Sequence, residues 1–489
     1  KIKKFLKENK WNIAVVTILT LLIYIYRLCN NGFSVDTEVM INDPQGQMMS
    51  WMITGRWSLY LTKFVFHLIP INIPLTNILA VTFLILSSII WTYYLESISS
   101  IKEHKYNWIF MMALVSSPIL CEQIGFTLQA FEIVFGLFMM AFGMILLESW
   151  MNDQKNIFQL IGAIIIVTYC FGLYQSFVFL FIFMCILSFV LKYENIQEVD
   201  LKKASIDILK YIGIFLVIFI LFEFVSKLVL KYLGADSGTY LFEQVLWGKE
   251  SFVFIIKNIV LNIGRLIIGK NALYHVFLLI FMVIFFIRYC FDRAYNLKIK
   301  IFKIVLVFLL YVTPFALNIV LGGEAAVRTL FALCFLNCFL IWYVMLENKS
   351  KILKIIIVIS LVMPSVITFL LNRSAVNCYH EEVKMANQIT EMIEEKKYQD
   401  KKVVFVGKYN PNSMIKGEML GISFFEWDYP NSYQCNGRIF GFLDAINIHY
   451  KRASIDDLNR VIPKTTKLKS WQDKKQIYLI DDIVVIKLS

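Results

Sequence analysis

"WNIAVVTILTLLIYIYRLC", residues 11–29, decides the fold class: it holds no Asp, Glu or Lys, and its one Arg stands near its far end. An α-helix rises 1.5 Å per residue, so about 20 such residues cross the hydrocarbon core of a bilayer. Comparable stretches follow at 76–95, 107–120, 131–150, 157–173, 176–192, 208–231, 272–291, 303–321, 329–346 and 352–371, which predicts about eleven crossings. The third is short, and its continuation "CEQIGFTLQAFE" is polar, which suits a hairpin shielded by protein. Residues 11–29 lack a small-x-small cleavage site and read as an uncleaved anchor.

Composition agrees with a chain dissolved mainly in lipid. Of 489 residues, 58% are hydrophobic and 16% aromatic. The net charge of +12 does not imply nucleic acid, because the cations sit largely in short loops where they fix topology. Lys1, Lys3, Lys4, Lys7 and Lys10 keep the N-terminus cytoplasmic, and alternate loops carry further Lys and Arg. With eleven crossings, the first long loop, the 232–271 segment and everything after about 372 face outside. The Lys-, Ile- and Asn-rich usage is that of a low-GC bacterium, so the expected location is a bacterial cytoplasmic membrane. Within 232–271, "SFVFIIKNIVLNIGRLIIGK" reads as an amphipathic helix in the outer leaflet; as a twelfth crossing it would move the tail inside.

Two parts are therefore expected: a transmembrane domain over 1–371, whose first external loop spans 30–75, and a small extracytoplasmic α/β domain over 372–489. In the latter, "HEEVKMANQITEMIEEKK" and "GRIFGFLDAINIHY" have helical spacing, "KKVVFVG" reads as a strand, and Ser454 with Asp457 as a helix start. "QIYLIDDIVVIKL" reads as a hairpin turning at Asp481-Asp482. Nine cysteines show no metal spacing; a Cys378–Cys435 disulfide is open but not demanded.

The first loop carries the candidate chemistry. "NGFSVDTEVMINDPQGQMMSWMITGRW", residues 31–57, sets Asp36 two residues from Glu38 beside the membrane surface. A carboxylate there can take a proton from an attacking hydroxyl. Two can divide acid and base roles or share a divalent metal such as Mg or Mn; equally, Asp36 can cap a helix. Asp43 before Pro44 reads as a turn or helix start. The stretch 45–68 reads as an interfacial amphipathic helix, with Arg56 beside Trp57 either holding a phosphate or snorkelling. Glu122, Gln123, Gln129 and Glu132 lie at membrane depth and are expected to line a polar cavity, opened likewise by Tyr174 and Gln175. Glu324 and Arg328 either pair as helical neighbours or leave Arg328 to hold a phosphate; Arg265 and Lys270 rank behind it. The five His residues form no metal or acyl-transfer pattern, and no phosphate-binding Gly loop is present.

"SVDTE" at 34–38, "GRW" at 55–57, "YQS" at 174–176, "VRTL" at 327–330 and a tail ending "IDDIVVIKL" together resemble the glucosyltransferase-II-type membrane proteins. The resemblance implies a GT-C fold and an inverting glycosyltransferase with Asp36 as base and Glu38 as its neighbour. It further implies a polyprenyl-phosphate sugar donor and a polysaccharide or teichoic-acid acceptor. A cytoplasmic donor synthase and a small flippase would be its partners. The D-x-E spacing departs from the paired Asp or DxD of many GT-C enzymes and leaves metal dependence open. The rival class is a transporter or flippase of lipid-linked saccharides, which leaves the acidic loop and the folded tail unexplained.

Overall fold

The computed structural model describes all residues except 100–103, 195–200, 237, 239, 270–274, 292–296, 348–349, 416–421 and 429–434. The chain is mostly helical. Among the described residues, five helices are long and apolar enough to cross a membrane: Ile73–Ile98, Thr127–Asp153, Lys202–Leu233, Leu297–Leu321 and Lys351–Glu395. A sixth candidate is a bent pair, His104–Val115 and Pro118–Gly125, which meet at 45°. Pro118 opens the second half of the pair, where a missing N–H costs nothing. Shorter apolar helices occupy Lys10–Ile23, Ile157–Leu173, Phe177–Lys192, Leu278–Phe291 and Phe331–Glu347. At 14 to 17 residues these fall below the length of a straight crossing.

The stretch expected as one interfacial helix over 45–68 is two. Pro44–Ile53 and Trp57–Val65 are separated at Gly55, whose φ of +78° only glycine adopts readily. Asp43 caps the first, accepting the Gly46 N–H at 2.9 Å. The second enters the bundle, and its Lys63 forms an ion pair at 2.8 Å with Glu132; both side chains are fully buried. Glu132 thus closes a charge pair instead of lining a cavity.

The last long helix continues without a break past residue 371 to Glu395 and leads into a small mixed sheet. Its strands are β1 (Lys402–Val406), β2 (Lys451–Arg452), β3 (Tyr478–Ile480) and β4 (Ile483–Lys487), in the order β2-β1-β4-β3. β1 is parallel to β2 and β4, and β3 pairs antiparallel with β4. The β3–β4 turn has Asp481 and Asp482 both at positive φ, the two-residue geometry that matches strand twist. Ser454 and Asp457 form a reciprocal capping box on the helix Ile455–Thr465. All nine cysteines are free, Cys378 and Cys435 among them. The helix Phe252–Ile267 leaves Phe252, Val253, Val260 and Leu261 exposed and is held on the Ile319–Gly322 corner by the Trp247 indole N–H and the Leu246 N–H.

Breaking the Lys63–Glu132 pair from one side should be costly, because it strands a charge in the core. Glu132→Ala or Lys63→Ala is expected to destabilise the detergent-solubilised protein by about 3–5 kcal/mol, whereas Lys63→Met with Glu132→Leu together should be close to neutral. Thermal unfolding of the three variants checks this.

Candidate active site

The acidic loop is pinned from two directions. Phe33 inserts between aromatic rings of the C-terminal unit, 5.2 Å from Tyr379, 5.6 Å from Phe424 and 6.0 Å from Phe442. On the bundle side, the Ser34 hydroxyl accepts the Thr127 N–H at 2.9 Å. Asp36 therefore sits in a loop that has little freedom. Its φ of +72° is a left-handed conformation that Asp tolerates better than most residues but still at some cost.

Asp36 occupies the N-cap position of the short helix Thr37–Asn42, yet its side chain makes no capping bond. It turns instead to Arg438, whose guanidinium donates to its carboxylate at 2.5 Å. The same Arg438 nitrogen lies 3.6 Å from Glu38. The Glu38 side chain is only 3% exposed, and its second oxygen has no hydrogen-bond partner. Burial, with the Asp36 charge adding and Arg438 opposing, pushes the Glu38 carboxyl up to about 8.

Arg438 is the residue that sequence reading missed. It stands in the helix Gly437–Ala445, whose first turn is held by Asp428 accepting the Arg438 N–H at 2.9 Å and the Ile439 N–H at 3.3 Å. Asn436, next to it, bonds both the N–H and the carbonyl of Phe405 on β1. The arginine is thus tied to the sheet before it reaches the carboxylates. Its helix approaches the loop helix closely: the Asn42 amide donates to the Gly441 carbonyl at 2.8 Å, and a Cβ at Gly441 would lie 3.0 Å from Glu38. Between them opens a cleft of about 430 Å³ lined by Asp36, Glu38, Asn42, Asp43, Arg438, Asp444 and Arg452. Arg452 is bound to Asp444 and lies over the Phe440 ring.

The other expected residues fall into separate groups. Arg56, Tyr174 and Gln175 do meet: the Arg56 guanidinium lies 4.8 Å over the Tyr174 ring and donates to Gln175 at 3.4 Å, while Gln175 donates to the Thr54 carbonyl. Trp57 packs at Gly172, where any side chain would collide with it, and its indole N–H is buried without a partner. Arg328 lies 4.5 Å over the Phe126 ring with its Nε buried and unbonded. Residues 324–326 are not helical and 327–329 make one 3₁₀ turn, so the helical Glu324–Arg328 pairing is not formed. Gln123 and Gln129 are buried with unpaired amide atoms, and Glu122 is buried beside them in the chain, but none lines the acidic cleft. Glu324 and Arg265 are exposed and away from the cleft lining. Lys270 lies outside the described residues. Among the described residues no group of three or more His, Cys, Asp or Glu gathers as for a metal. The cation that Asp36 and Glu38 share is the Arg438 guanidinium.

Several apolar helices, compatible with a membrane protein, carry an acidic, arginine-held cleft formed between the first loop and the C-terminal unit. Residues 25–345 match the glucosyl transferase GtrII family, and the chain belongs to it. It is therefore assigned to a glycosyltransferase family. No curated protein and no solved structure matches the chain. The matched region holds Asp36, Glu38, Arg56, Gln175 and Arg328 but stops short of Arg438.

The Glu38 carboxyl gives a pH signature. Protonated in the fold up to about 8 but ionising in the ordinary carboxylate range when unfolded, it contributes stability that is complete below about 4.5 and is lost as pH rises through 8. The unfolding midpoint should fall across that window in the wild type and fall less steeply in Glu38→Gln, where the buried Glu382, raised to about 7, still titrates.

Proposed function

We propose that the protein is an inverting glycosyltransferase that moves a sugar from a polyprenyl-phosphate donor to a cell-envelope polysaccharide or teichoic acid at the outer face of the membrane. The observation that carries this reading is Asp36, strained and paired with Arg438, on the wall of a cleft large enough for sugar units. In the reaction, the acceptor hydroxyl gives its proton to the Asp36 carboxylate as its oxygen bonds to the anomeric carbon. The bond from that carbon to the donor phosphate oxygen breaks, and the lipid phosphate leaves with the electron pair. Proximity and a positioned base together lower this barrier.

Glu38 supports the base. Held protonated by burial, it adds no second negative charge to the cleft and can donate a hydrogen bond to a sugar oxygen. Arg438 keeps both carboxyl groups on the cleft wall. Arg328, with an unbonded Nε, is assigned to the phosphate as charge develops on it. The C-terminal unit supplies half of the cleft and so orients the acceptor. An external donor must already carry its sugar on lipid phosphate, since nucleotide sugars stay inside. The Arg438 guanidinium lies against both carboxyl groups and supplies the positive charge there. Membership of a transferase family supports this reading over a flippase.

Asp36→Asn keeps the shape and removes the base, and should lower sugar transfer by about 10²–10⁴-fold while expression and thermal stability hold. Transfer from a purified polyprenyl-phosphate sugar, followed by release of the lipid phosphate, measures it; near wild-type turnover removes the assignment. Arg438→Gln should also impair transfer.

A further inference from the structure

Arg27 has no place in the reading so far. It lies in the short helix Ile25–Leu28, just before the acidic loop, and is only 5% exposed. Its one side-chain hydrogen bond runs from Nε to the neutral Asn372 at 3.1 Å, and among the described residues no carboxylate pairs with it. A guanidinium taken out of water without a counter-charge is expensive, and a single amide does not offset it. The carbonyl end of the helix Pro118–Gly125 comes to the same place through Gly125, but a helix terminus carries only about half a charge.

The second observation is a cavity of about 20 Å³ against the guanidinium, bounded also by Asn30, Ser34, Asn77 and Thr127. It admits one water or one monatomic ion and nothing larger. Thr127 is fully buried, and its hydroxyl has no partner. One wall thus offers a full positive charge and another an unused O–H donor. The Asn77 oxygen, also unpartnered, favours a water, but an amide dipole is weaker than a guanidinium charge. We infer that this cavity binds a chloride-sized anion, held by Arg27 and the Thr127 hydroxyl. Three parts of the chain meet there: Gly32 and Ser34 belong to the acidic loop, Gly125 and Thr127 to the end of the bent helix pair, and Val376 to the long helix that enters the C-terminal unit. The ion ties them through one charge and braces the loop two residues ahead of Asp36. The site stands whether or not Asp36 is a base.

The test is the thermal midpoint of the full chain in detergent at constant ionic strength, with chloride exchanged for gluconate. Chloride should raise the midpoint saturably and slow hydrogen exchange in residues 30–38, because a ligand of the folded state stabilises it by mass action. Arg27→Gln should remove the chloride response, and Thr127→Val should weaken the apparent affinity by roughly tenfold. Bromide should substitute and give anomalous density at Arg27, whereas sulfate, too large for the cavity, should not substitute. If Arg27→Gln does not fold, Thr127→Val and the sulfate comparison decide in its place. Equal midpoints in chloride and gluconate overturn the proposal and leave the cavity to a water. So does an undiminished response in Arg27→Gln or Thr127→Val, or a response to sulfate equal to that to chloride, each marking a general salt effect. Asp36→Asn should keep the full chloride response. An Asp36→Asn that still transfers sugar would sink the function proposed above and leave this site standing, while a wild type indifferent to chloride would do the reverse.

Discussion

The contact between Arg438 and the Asp36–Glu38 pair joins positions 402 residues apart and sets the geometry of the whole cleft. Its two halves differ in physics. The Asp36 carboxylate keeps 38% of its side chain exposed, so water screens that ion pair and the contact serves mainly to orient. Glu38 is buried, and there the cost of charge dominates, so the carboxyl holds its proton into the alkaline range. Two carboxyl groups two residues apart thereby acquire different characters from their surroundings. The sheet matters because it stiffens the arginine: Asn436 bonds β1 and Asp428 holds the helix start, so the guanidinium arrives with little left to order.

Among the described residues, Glu38, Trp57, Ser58, Gln123, Thr127, Gln129 and Arg328 each bury a polar atom without a partner, as do Thr76, Thr168, Asn318 and Trp342 elsewhere in the chain. Buried polar groups are nearly always bonded, so each such atom marks a place where water or a ligand completes it. Glycines at Gly55 and Gly441 allow the close approaches, one by its left-handed backbone and the other by leaving room for Glu38.

The family match and the cleft do not have the same extent. The matched part ends at residue 345, whereas Arg438, Asp444 and Arg452 come from the C-terminal unit. The residues proposed for donor chemistry thus lie within the shared region, and those that close the cleft lie beyond it.

Much was legible from the order of residues alone. Apolar runs mark helices because backbone in lipid must bond itself, so composition and length suffice to find them. Local rules likewise reach the Asp43 cap, the Ser454–Asp457 box and the Asp481-Asp482 turn, since each involves neighbours in sequence. The nearness of Asp36 and Glu38 was visible from their spacing; "GRW" and "YQS" were legible only as separate motifs, and the fold brings them together. What tertiary structure alone decided is which charges face each other. Arg438 looked like any helical arginine, and Glu132 like a cavity wall until Lys63 met it. Burial and counter-charge are properties of three-dimensional neighbours, and a one-dimensional pattern holds no record of them.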